Sequence, residues 1–291
     1  MKFKPFIVLL RPQQWVKNLL VFIPWLLSHR TSDTRAFLAL ALGALAFCFI
    51  SSTAYVLNDL LDVESDRRHH SKKHRPLASG EISKGTGVGI AGAMLLASAG
   101  LGLFAGDGTV FIFSYLAINI LYSFYFKKVV MADILLLSSF YIIRILYGGA
   151  VSHTVISYWL LSFSFFSFLS LAILKRYAEL NIQYKKLGAT SSSGRGYHIE
   201  DLPILQSLGV GTGLISVLLL GLYIHLGEGV VLYSEPRYLW GIEVLMLYWI
   251  SRIWFFASRA ELEDDPVKFT VKDRVSLGCA LLSVILAVLA K

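Results

Sequence analysis

Long apolar stretches separated by short polar connections make up most of this chain. Nine stretches reach membrane-spanning length, at about 15–29, 36–57, 85–106, 109–126, 130–151, 154–174, 202–226, 238–257 and 275–290. A bilayer core takes roughly 20 apolar residues of helix, and in hydrocarbon each backbone amide must be paired within its own segment. The pattern therefore predicts an all-α integral membrane protein with nine transmembrane helices, of which the first and last are near the short limit.

The distribution of Lys and Arg predicts how these helices are oriented. Cytoplasmic loops of membrane proteins carry an excess of Lys and Arg. With the N-terminus in the cytoplasm, 21 of the 27 Lys and Arg residues lie on the cytoplasmic side. We therefore expect a single polytopic domain over residues 1–291, with cytoplasmic loops at about 58–84, 175–201 and 258–274. The six exceptions are Arg30, Arg35, Arg237 and Lys291 on the opposite side, and Arg144 and Arg252 within spans.

The composition agrees with a membrane protein. The chain is 56% hydrophobic and 16% charged, whereas a soluble domain is about one quarter charged. The net charge of +8 suits topology and anionic lipid headgroups, and we expect no nucleic-acid partner. Cys48 and Cys279 lie inside apolar runs, which excludes a disulfide framework and a thiolate metal site. Residues 1–10 resemble a signal peptide but lack a cleavage site, so we expect them to be retained.

Four polar residues directly follow the second apolar stretch. Asn58, Asp62 and Asp66 recur every four residues, so on a helix over 55–66 they share one face, with Asp59 one step aside. Mg²⁺ prefers hard oxygen ligands and typically takes one or two side chains together with phosphate oxygens. We predict that Asn58 and Asp62 bind Mg²⁺, and that Asp59, Asp62 and Asp66 are the catalytic carboxylates. The alternative is a solvated helix end with ordinary charge pairing.

Residues that could bind an anionic substrate lie near the predicted cytoplasmic face. Tyr55 precedes the acidic motif by one turn, and the basic residues after the motif suit phosphate oxygens. Arg144 lies within the fifth span, where an arginine is either functional or part of an internal salt bridge. The segment 191–196 is either a lid or a linker. The predicted substrate-binding residues are Lys17, Tyr55, Lys72, Arg75, Tyr122, Lys127, Arg144, Lys175, Arg176 and Glu179.

Several other features complete the sequence picture. Gly85, Gly89 and Gly92 have the small-xxx-small spacing of closely packed membrane helices. Glu243 and Arg252 are nine residues apart within one span, and we interpret them as structural. The sequence has no P-loop, no Gly-x-Ser-x-Gly, no His pair at metal spacing and no Cys cluster, which excludes P-loop nucleotide hydrolysis, serine hydrolysis and zinc chemistry.

With these residues in place, the chain resembles the UbiA superfamily of intramembrane prenyltransferases. The resemblance rests on Asn-Asp-x-x-Asp-x-x-x-Asp at 58–66, on Arg75-Pro76, and on Tyr122-Ser123 followed by Lys127. Most of the superfamily carries a second motif, Asp-x-x-x-Asp, after the sixth helix, but here residues 175–180 read Lys-Arg-Tyr-Ala-Glu-Leu. In lacking that second motif, and in the sequence of segment 11–18, the chain resembles the decaprenyl-phosphate phosphoribosyltransferase branch of the superfamily.

The resemblance implies a specific reaction. A member of that branch transfers 5-phosphoribose from 5-phosphoribosyl 1-diphosphate (PRPP) to a polyprenyl phosphate with Mg²⁺, releasing diphosphate, for cell-envelope glycolipid precursors. It lies in the bacterial inner membrane with its active site facing the cytoplasm. The alternative within the same fold is prenyl transfer from a polyprenyl diphosphate to an aromatic acceptor. A transporter or flippase is disfavoured because the acids are concentrated at one face. The oligomeric state is not specified by the sequence, and a homo-oligomer is one option.

Overall fold

The protein is helical throughout the part of the chain that its computed structural model describes. The described residues are 4–28, 33–68, 72–188, 195–226, 233–262 and 265–291. The α-helices are α1 (Lys4–Leu10), α2 (Ile23–Leu27), α3 (Thr34–Leu61), α4 (Val63–Arg68), α5 (Pro76–Ser79), α6 (Lys84–Ala105), α7 (Thr109–Phe124), α8 (Ala132–Val151), α9 (Tyr158–Leu187), α10 (Leu202–Leu226), α11 (Leu239–Ser258), α12 (Pro266–Thr270) and α13 (Arg274–Ala290). Five 3-10 helices cover Pro12–Phe22, Lys72–His74, Phe126–Lys128, Ile199–Asp201 and Pro236–Tyr238.

The all-α prediction is confirmed, whereas the count of nine spans is not. Six of the described helices, α3, α6, α8, α9, α10 and α11, are long and apolar enough to cross a membrane. Helices α7 and α13 are apolar but shorter. The first predicted span, 15–29, is divided between the 3-10 helix Pro12–Phe22 and the short helix α2. Length and hydropathy therefore make this a multi-pass membrane protein with at least six candidate spans among the described residues.

The described residues fall into two compact units. Unit 1 comprises the chain up to Tyr125 together with Ile143–Ile156, and unit 2 comprises Phe126–Ile142 and Ser157–Lys291. The first part of α8 thus belongs to unit 2 and its last part to unit 1. A buried apolar cluster lies inside each unit. In unit 1 it includes Leu9, Val56, Val63 and Leu77; in unit 2 it includes Ile134, Leu174, Leu205 and Trp254.

One side of the 3-10 helix Pro12–Phe22 packs against the interior of unit 1. Trp15, Asn18 and Val21 are three residues apart, and a 3-10 helix has 3.0 residues per turn, so the three side chains line up. Trp15 Nε1 donates to Ser52 Oγ at 3.1 Å, and Asn18 and Val21 are fully buried. On α8, Gly148 lets the backbone approach, because a Cβ there would lie 2.0 Å from the Val21 carbonyl oxygen.

This close approach gives a stability prediction. Gly148→Ala should destabilise the protein by about 1–3 kcal/mol, the usual cost of overpacking, since the added methyl would meet a backbone oxygen. The matched control is Gly92→Ala in α6, where a Cβ meets nothing within 4 Å. That exchange should stabilise the helix by about 0.5–1 kcal/mol. Thermal melting in detergent measures both, and equal melting temperatures would contradict the packing.

The predicted packing role of Gly85, Gly89 and Gly92 is wrong for the described structure. A Cβ on Gly89 or Gly92 would meet nothing within 4 Å, and on Gly85 only Ser83 Oγ at 4.0 Å. The close contacts of α6 are made instead at Gly87 and Gly102, where a Cβ would lie 2.9 Å from Leu77 and Ile112 respectively. Sequence spacing identified a face of small residues, but the neighbouring elements pack on a different face.

An ion pair fastens α11 to α13 in unit 2. Arg252 donates to both oxygens of Asp273, at 2.6 and 3.1 Å. Asp273 also caps α13 by accepting the Ser276 backbone N–H at 2.8 Å. The hydrogen bond from Arg252 lowers the pKa of Asp273 to about 2, and the Ser276 bonds act in the same direction. The structural interpretation of Arg252 agrees with these contacts.

The lowered pKa of Asp273 predicts a pH dependence of stability. An unfolded aspartate has a pKa of about 3.9, so the pair stabilises the fold fully above that pH. Its contribution is lost as the pH falls toward about 2, the pKa in the folded state. Asp273→Asn should therefore melt below the wild type at pH 6, and the gap should narrow at pH 3. A gap that stays constant between these pH values would contradict the assignment.

Candidate active site

The acidic motif lies at a break between two helices of unit 1. Helix α3 ends at Leu61, Asp62 takes a non-helical conformation (φ −94°, ψ 5°), and α4 begins at Val63. The predicted continuous helix over 55–66 is therefore interrupted at Asp62. Backbone hydrogen bonds from Asp62 to the Asn58 carbonyl (3.0 Å) and from Asp66 to the Asp62 carbonyl (2.7 Å) bridge the break, so the motif keeps its helical spacing.

Two of the motif's carboxylates are buried and bound by arginines. Asp59 and Asp66 are each only 3% exposed. Arg75 Nη1 contacts Asp59 at 2.9 Å and Asp66 at 2.8 Å. Arg11 Nη2 contacts both oxygens of Asp59, at 2.7 and 2.9 Å. A buried carboxylate is stable only when it is paired, so these four side chains form one ion-pair network.

Arg11 was not among the predicted site residues, and its position depends on Pro12. The proline lacks the backbone N–H that would continue α1, and it disfavours the α conformation in the residue before it. Arg11 adopts a left-handed conformation (φ 53°, ψ 54°) at the start of the 3-10 helix, which is uncommon for a residue other than glycine. The Arg-Pro pair was the available sequence signal, but its partner Asp59 lies 48 residues away.

Asn58 and Asp62 lie one turn apart and are partly buried, less so than Asp59 and Asp66. Both offer hard oxygen donors, as Mg²⁺ requires. No group of three or more His, Cys, Asp and Glu residues in the described structure is placed to hold a metal ion. Two oxygen-donor side chains one turn apart fit Mg²⁺, which typically takes one or two protein side chains and retains several waters.

A largely apolar cleft of about 260 Å³ begins beside Asn58, between α3 and α7. Its walls are aliphatic and aromatic, with polar groups only at Asn58, Asn119 and Ser123. The lining residues are Ala54, Leu57, Asn58, Leu60, Leu61, Asn119, Ile120, Ser123 and Phe124. An apolar groove that starts at a polar motif suits a ligand with a charged head and a hydrocarbon chain.

Tyr55 connects the acidic motif to the N-terminal segment. The Arg11 guanidinium lies over the Tyr55 ring at 4.8 Å from its centroid, and Lys17 is partly buried in the 3-10 helix that follows Arg11. Arg11 thus lies between Tyr55 and Asp59 of the acidic motif. Two further predicted substrate-binding residues, Lys72 in the 3-10 helix Lys72–His74 and Tyr122 in the last turn of α7, are partly buried in the same unit.

Arg144 lies in the interior of unit 1 and is 4% exposed. Its Nε donates to Asn18 Oδ1 at 2.7 Å, and its Nη2 donates to Ser51 Oγ and the Tyr115 hydroxyl, each at 3.3 Å. The guanidinium also stacks on the Tyr115 ring at 4.7 Å. Sequence reasoning missed Asn18, Ser51 and Tyr115. The available signal was the polar face of α3, where Ser51, Tyr55 and Asp59 recur every four residues.

A second charged cluster lies in unit 2. Arg176, 2% exposed, donates to Asp133 at 2.5 Å and to Glu179 at 2.7 Å. Arg195 lies farther out, 21% exposed, at 3.7 Å from Asp133 and 3.4 Å from Glu179. Both carboxylates are therefore bound by guanidinium groups, and Arg176 and Glu179, which we predicted to bind substrate, are bound to each other.

Tyr197 completes this cluster. It donates a hydrogen bond to Asp133 and accepts one from the Met131 backbone N–H at 2.9 Å. Burial first, and then the hydrogen bond to Asp133, raises the pKa of Tyr197, so the hydroxyl stays a donor through the neutral range. A Cβ on Gly196 would lie 2.5 Å from the Lys128 carbonyl oxygen, so residues 195–197 pack closely on the segment before α8.

The remaining predicted residues of unit 2 are less enclosed. Lys175 is 32% exposed and lies 3.9 Å from Asp265. Lys127 is partly buried in the 3-10 helix Phe126–Lys128. Positions 191–194 of the predicted lid or linker at 191–196 lie outside the described residues. Asp133, Arg195 and Tyr197 were not predicted as site residues, because nothing local in their sequence indicates shared contacts.

The sequence model of the UbiA prenyltransferase family matches residues 19–287. This chain belongs to that family, and it is accordingly a transferase of a multi-pass membrane type. Among curated proteins it is 35% identical to the uncharacterized protein y4nM of Sinorhizobium fredii, over 92% of this chain and 52% of that protein. It is 34% identical to the nodulation protein NoeC of Azorhizobium caulinodans, over 93% of this chain and 88% of that protein.

A third relative has a named enzymatic activity. The decaprenyl-phosphate phosphoribosyltransferase of Corynebacterium glutamicum is 37% identical over 62% of this chain and 55% of that protein. The chain thus spans about half the length of y4nM and of the Corynebacterium enzyme. Among solved structures, a UbiA homolog from Archaeoglobus fulgidus bound to GPP and Mg²⁺ superposes with a TM-score of 0.70 at 18% identity, covering 97% of this chain and 96% of that one. The superposition shows a common fold.

Proposed function

We propose that this protein transfers 5-phosphoribose from PRPP to a polyprenyl phosphate and releases diphosphate. The observation that carries the proposal is the cluster around Arg176. Most of the family has a second pair of aspartates after the sixth transmembrane span. At the corresponding place, in α9, this chain has Arg176, which is bound between Asp133 and Glu179. Carboxylates held by guanidinium groups are poor ligands for a second metal. The name of the Corynebacterium relative supports the transfer of a phosphoribosyl group to a polyprenyl phosphate.

The metal requirement follows from the acidic motif of unit 1. Asn58 and Asp62 would hold Mg²⁺, which supplies charge neutralisation for the departing diphosphate. Asp59 and Asp66 orient Arg11 and Arg75 through the contacts described above. In the described part of the chain Arg75 contacts both carboxylates through Nη1, and its Nε and Nη2 groups would bind phosphate oxygens.

The reaction forms one bond and breaks one. An oxygen of the lipid phosphate forms a bond to C1 of the ribose, and the bond from C1 to the diphosphate oxygen breaks, with its electron pair leaving on diphosphate. A phosphate monoester has its second pKa near about 6, so the attacking oxygen is already ionised and needs no general base. Lys17 and Lys72, in the same unit as the acidic motif, would offset the repulsion between the two anionic substrates.

The membrane arrangement is part of the proposal. A 3-10 helix rises about 2.0 Å and an α-helix about 1.5 Å per residue. The 11 residues of Pro12–Phe22 and the five of α2 therefore extend about 30 Å, the thickness of a bilayer core. Together with the six long apolar helices and with α7 and α13 as short spans, this segment gives nine crossings in a single polytopic domain. The acidic motif would then lie on the cytoplasmic side of the inner membrane.

The test uses purified protein in detergent with radiolabelled PRPP, a polyprenyl phosphate and Mg²⁺. We expect label to move into the organic phase, and chelation of Mg²⁺ to abolish the transfer. Prenyl transfer to an aromatic acceptor is the second candidate, supported by the family to which the chain belongs. It is measured in parallel with a polyprenyl diphosphate and 4-hydroxybenzoate. Product in that reaction alone would refute the phosphoribosyl proposal.

A further inference from the structure

The 3-10 geometry of Pro12–Phe22 places Arg11, Gln14 and Lys17 on a common edge. With 3.0 residues per turn, side chains three apart lie one above another, whereas in an α-helix they would rotate away by about 60° at each step. The edge made by Trp15, Asn18 and Val21 faces the interior of unit 1, and Gln13 and Leu19 on the third edge are exposed. The edge of Arg11, Gln14 and Lys17 is partly buried at all three positions.

Gln14 carries a buried polar atom that the described structure leaves without a partner. Its side-chain oxygen Oε1 is inaccessible, and it accepts no hydrogen bond from any described residue. A buried carbonyl oxygen in this condition is uncommon, because losing its hydrogen bond to water costs free energy that folding does not return. Such an atom is retained at little cost when a ligand supplies the missing donor.

The neighbours of Gln14 indicate which ligand this is. Arg11 precedes it on the edge, stacks on Tyr55 and binds Asp59 of the acidic motif, and Lys17 follows it on the same edge. Gln14 therefore lies between two cations, next to the arginine that binds the acidic motif. The ligand should be anionic and should offer a hydrogen-bond donor a short distance from its phosphate.

We propose that Gln14 determines donor specificity by accepting a hydrogen bond from a ribose hydroxyl of the phosphoribosyl donor. This inference rests on the phosphoribosyl transfer proposed above. PRPP has two ribose hydroxyls close to its diphosphate, whereas a prenyl diphosphate has no hydrogen-bond donor outside its phosphates. A site built around a buried acceptor discriminates strongly against a ligand that leaves the acceptor unpaired.

The test compares two ligands that differ by the phosphorylated sugar. The dissociation constants of PRPP and of inorganic diphosphate are measured by calorimetry with Mg²⁺, on the full-length protein in detergent. Gln14→Met, which keeps the side-chain length, should weaken PRPP binding about tenfold, as expected for one lost hydrogen bond, and should leave diphosphate binding unchanged. The matched control is Gln13→Met on the exposed edge, which should change neither constant. Gln14→Asn, which retracts the amide by one methylene, serves if the Met variant does not fold.

The outcomes separate this inference from the proposed function. Equal weakening of both ligands, or of neither, in Gln14→Met would overturn the role of Gln14. If the wild type transfers no phosphoribose to lipid but Gln14→Met still loses PRPP selectively, the proposed reaction fails and the ribose contact stands. If the wild type does not bind PRPP at all, both are refuted.

Discussion

Replacing Asp62 with asparagine should slow transfer by about a hundred- to a thousandfold, the range seen when one preorganised electrostatic contact is removed. The exchange keeps the shape of the side chain and removes its charge, so the motif loses one anionic ligand for Mg²⁺. The fold should be retained, because Asp62 is partly exposed and its backbone hydrogen bonds are unaffected. Initial rates with labelled PRPP measure the effect, and higher Mg²⁺ should restore part of the rate.

The control lies in the same acidic stretch. Glu64 is 66% exposed and pairs with Arg67 and Lys84 on the surface of unit 1. Glu64→Gln removes one negative charge two residues from Asp62, so it tests whether charge alone explains the effect. We expect its rate to stay close to that of the wild type. Comparable losses in both variants, or near-normal activity in Asp62→Asn, would contradict the assignment of Asp62 as a metal ligand.

Replacing Arg176 with methionine should lower the free energy of unfolding by about 3–5 kcal/mol, because breaking a buried ion pair leaves uncompensated charge in the interior. Asp133 is fully buried, and it would lose the shorter of its two arginine contacts. The melting temperature in detergent measures the change. Combining Arg176→Met with Asp133→Asn should recover part of the loss, since the second exchange removes the stranded charge.

Arg237→Met is the matched control for Arg176→Met. Arg237 is 73% exposed and pairs with Glu235 at 2.9 Å. Exposed ion pairs contribute little to stability, so this variant should melt close to the wild type. If Arg176→Met melts no lower than Arg237→Met, then the ion pairs of Arg176 do not stabilise the fold. Arg176 would in that case be available to bind substrate.

The helical architecture was largely predictable because its causes are local. A long apolar stretch in a membrane can pair its backbone only with itself, so helices such as α3 and α9 follow from composition over one window. The acidic motif at 58–66 was equally visible, since its spacing needs only one helix. The first predicted span is the exception. Pro12 starts a 3-10 helix there, and apolar content alone does not distinguish it from an α-helix.

The partners of the charged side chains depend on contacts between distant segments. Arg11 binds Asp59, Arg176 binds Asp133 and Arg144 binds Asn18, across 48, 43 and 126 residues of sequence respectively. Each pairing is set by which helix faces pack together, and helical periodicity within one segment does not specify that. Sequence alone therefore established a helical membrane protein with an oxygen-donor motif. Tertiary packing decided which acids are bound by arginines, because Asp59 and Asp66 are buried and a buried carboxylate must be paired.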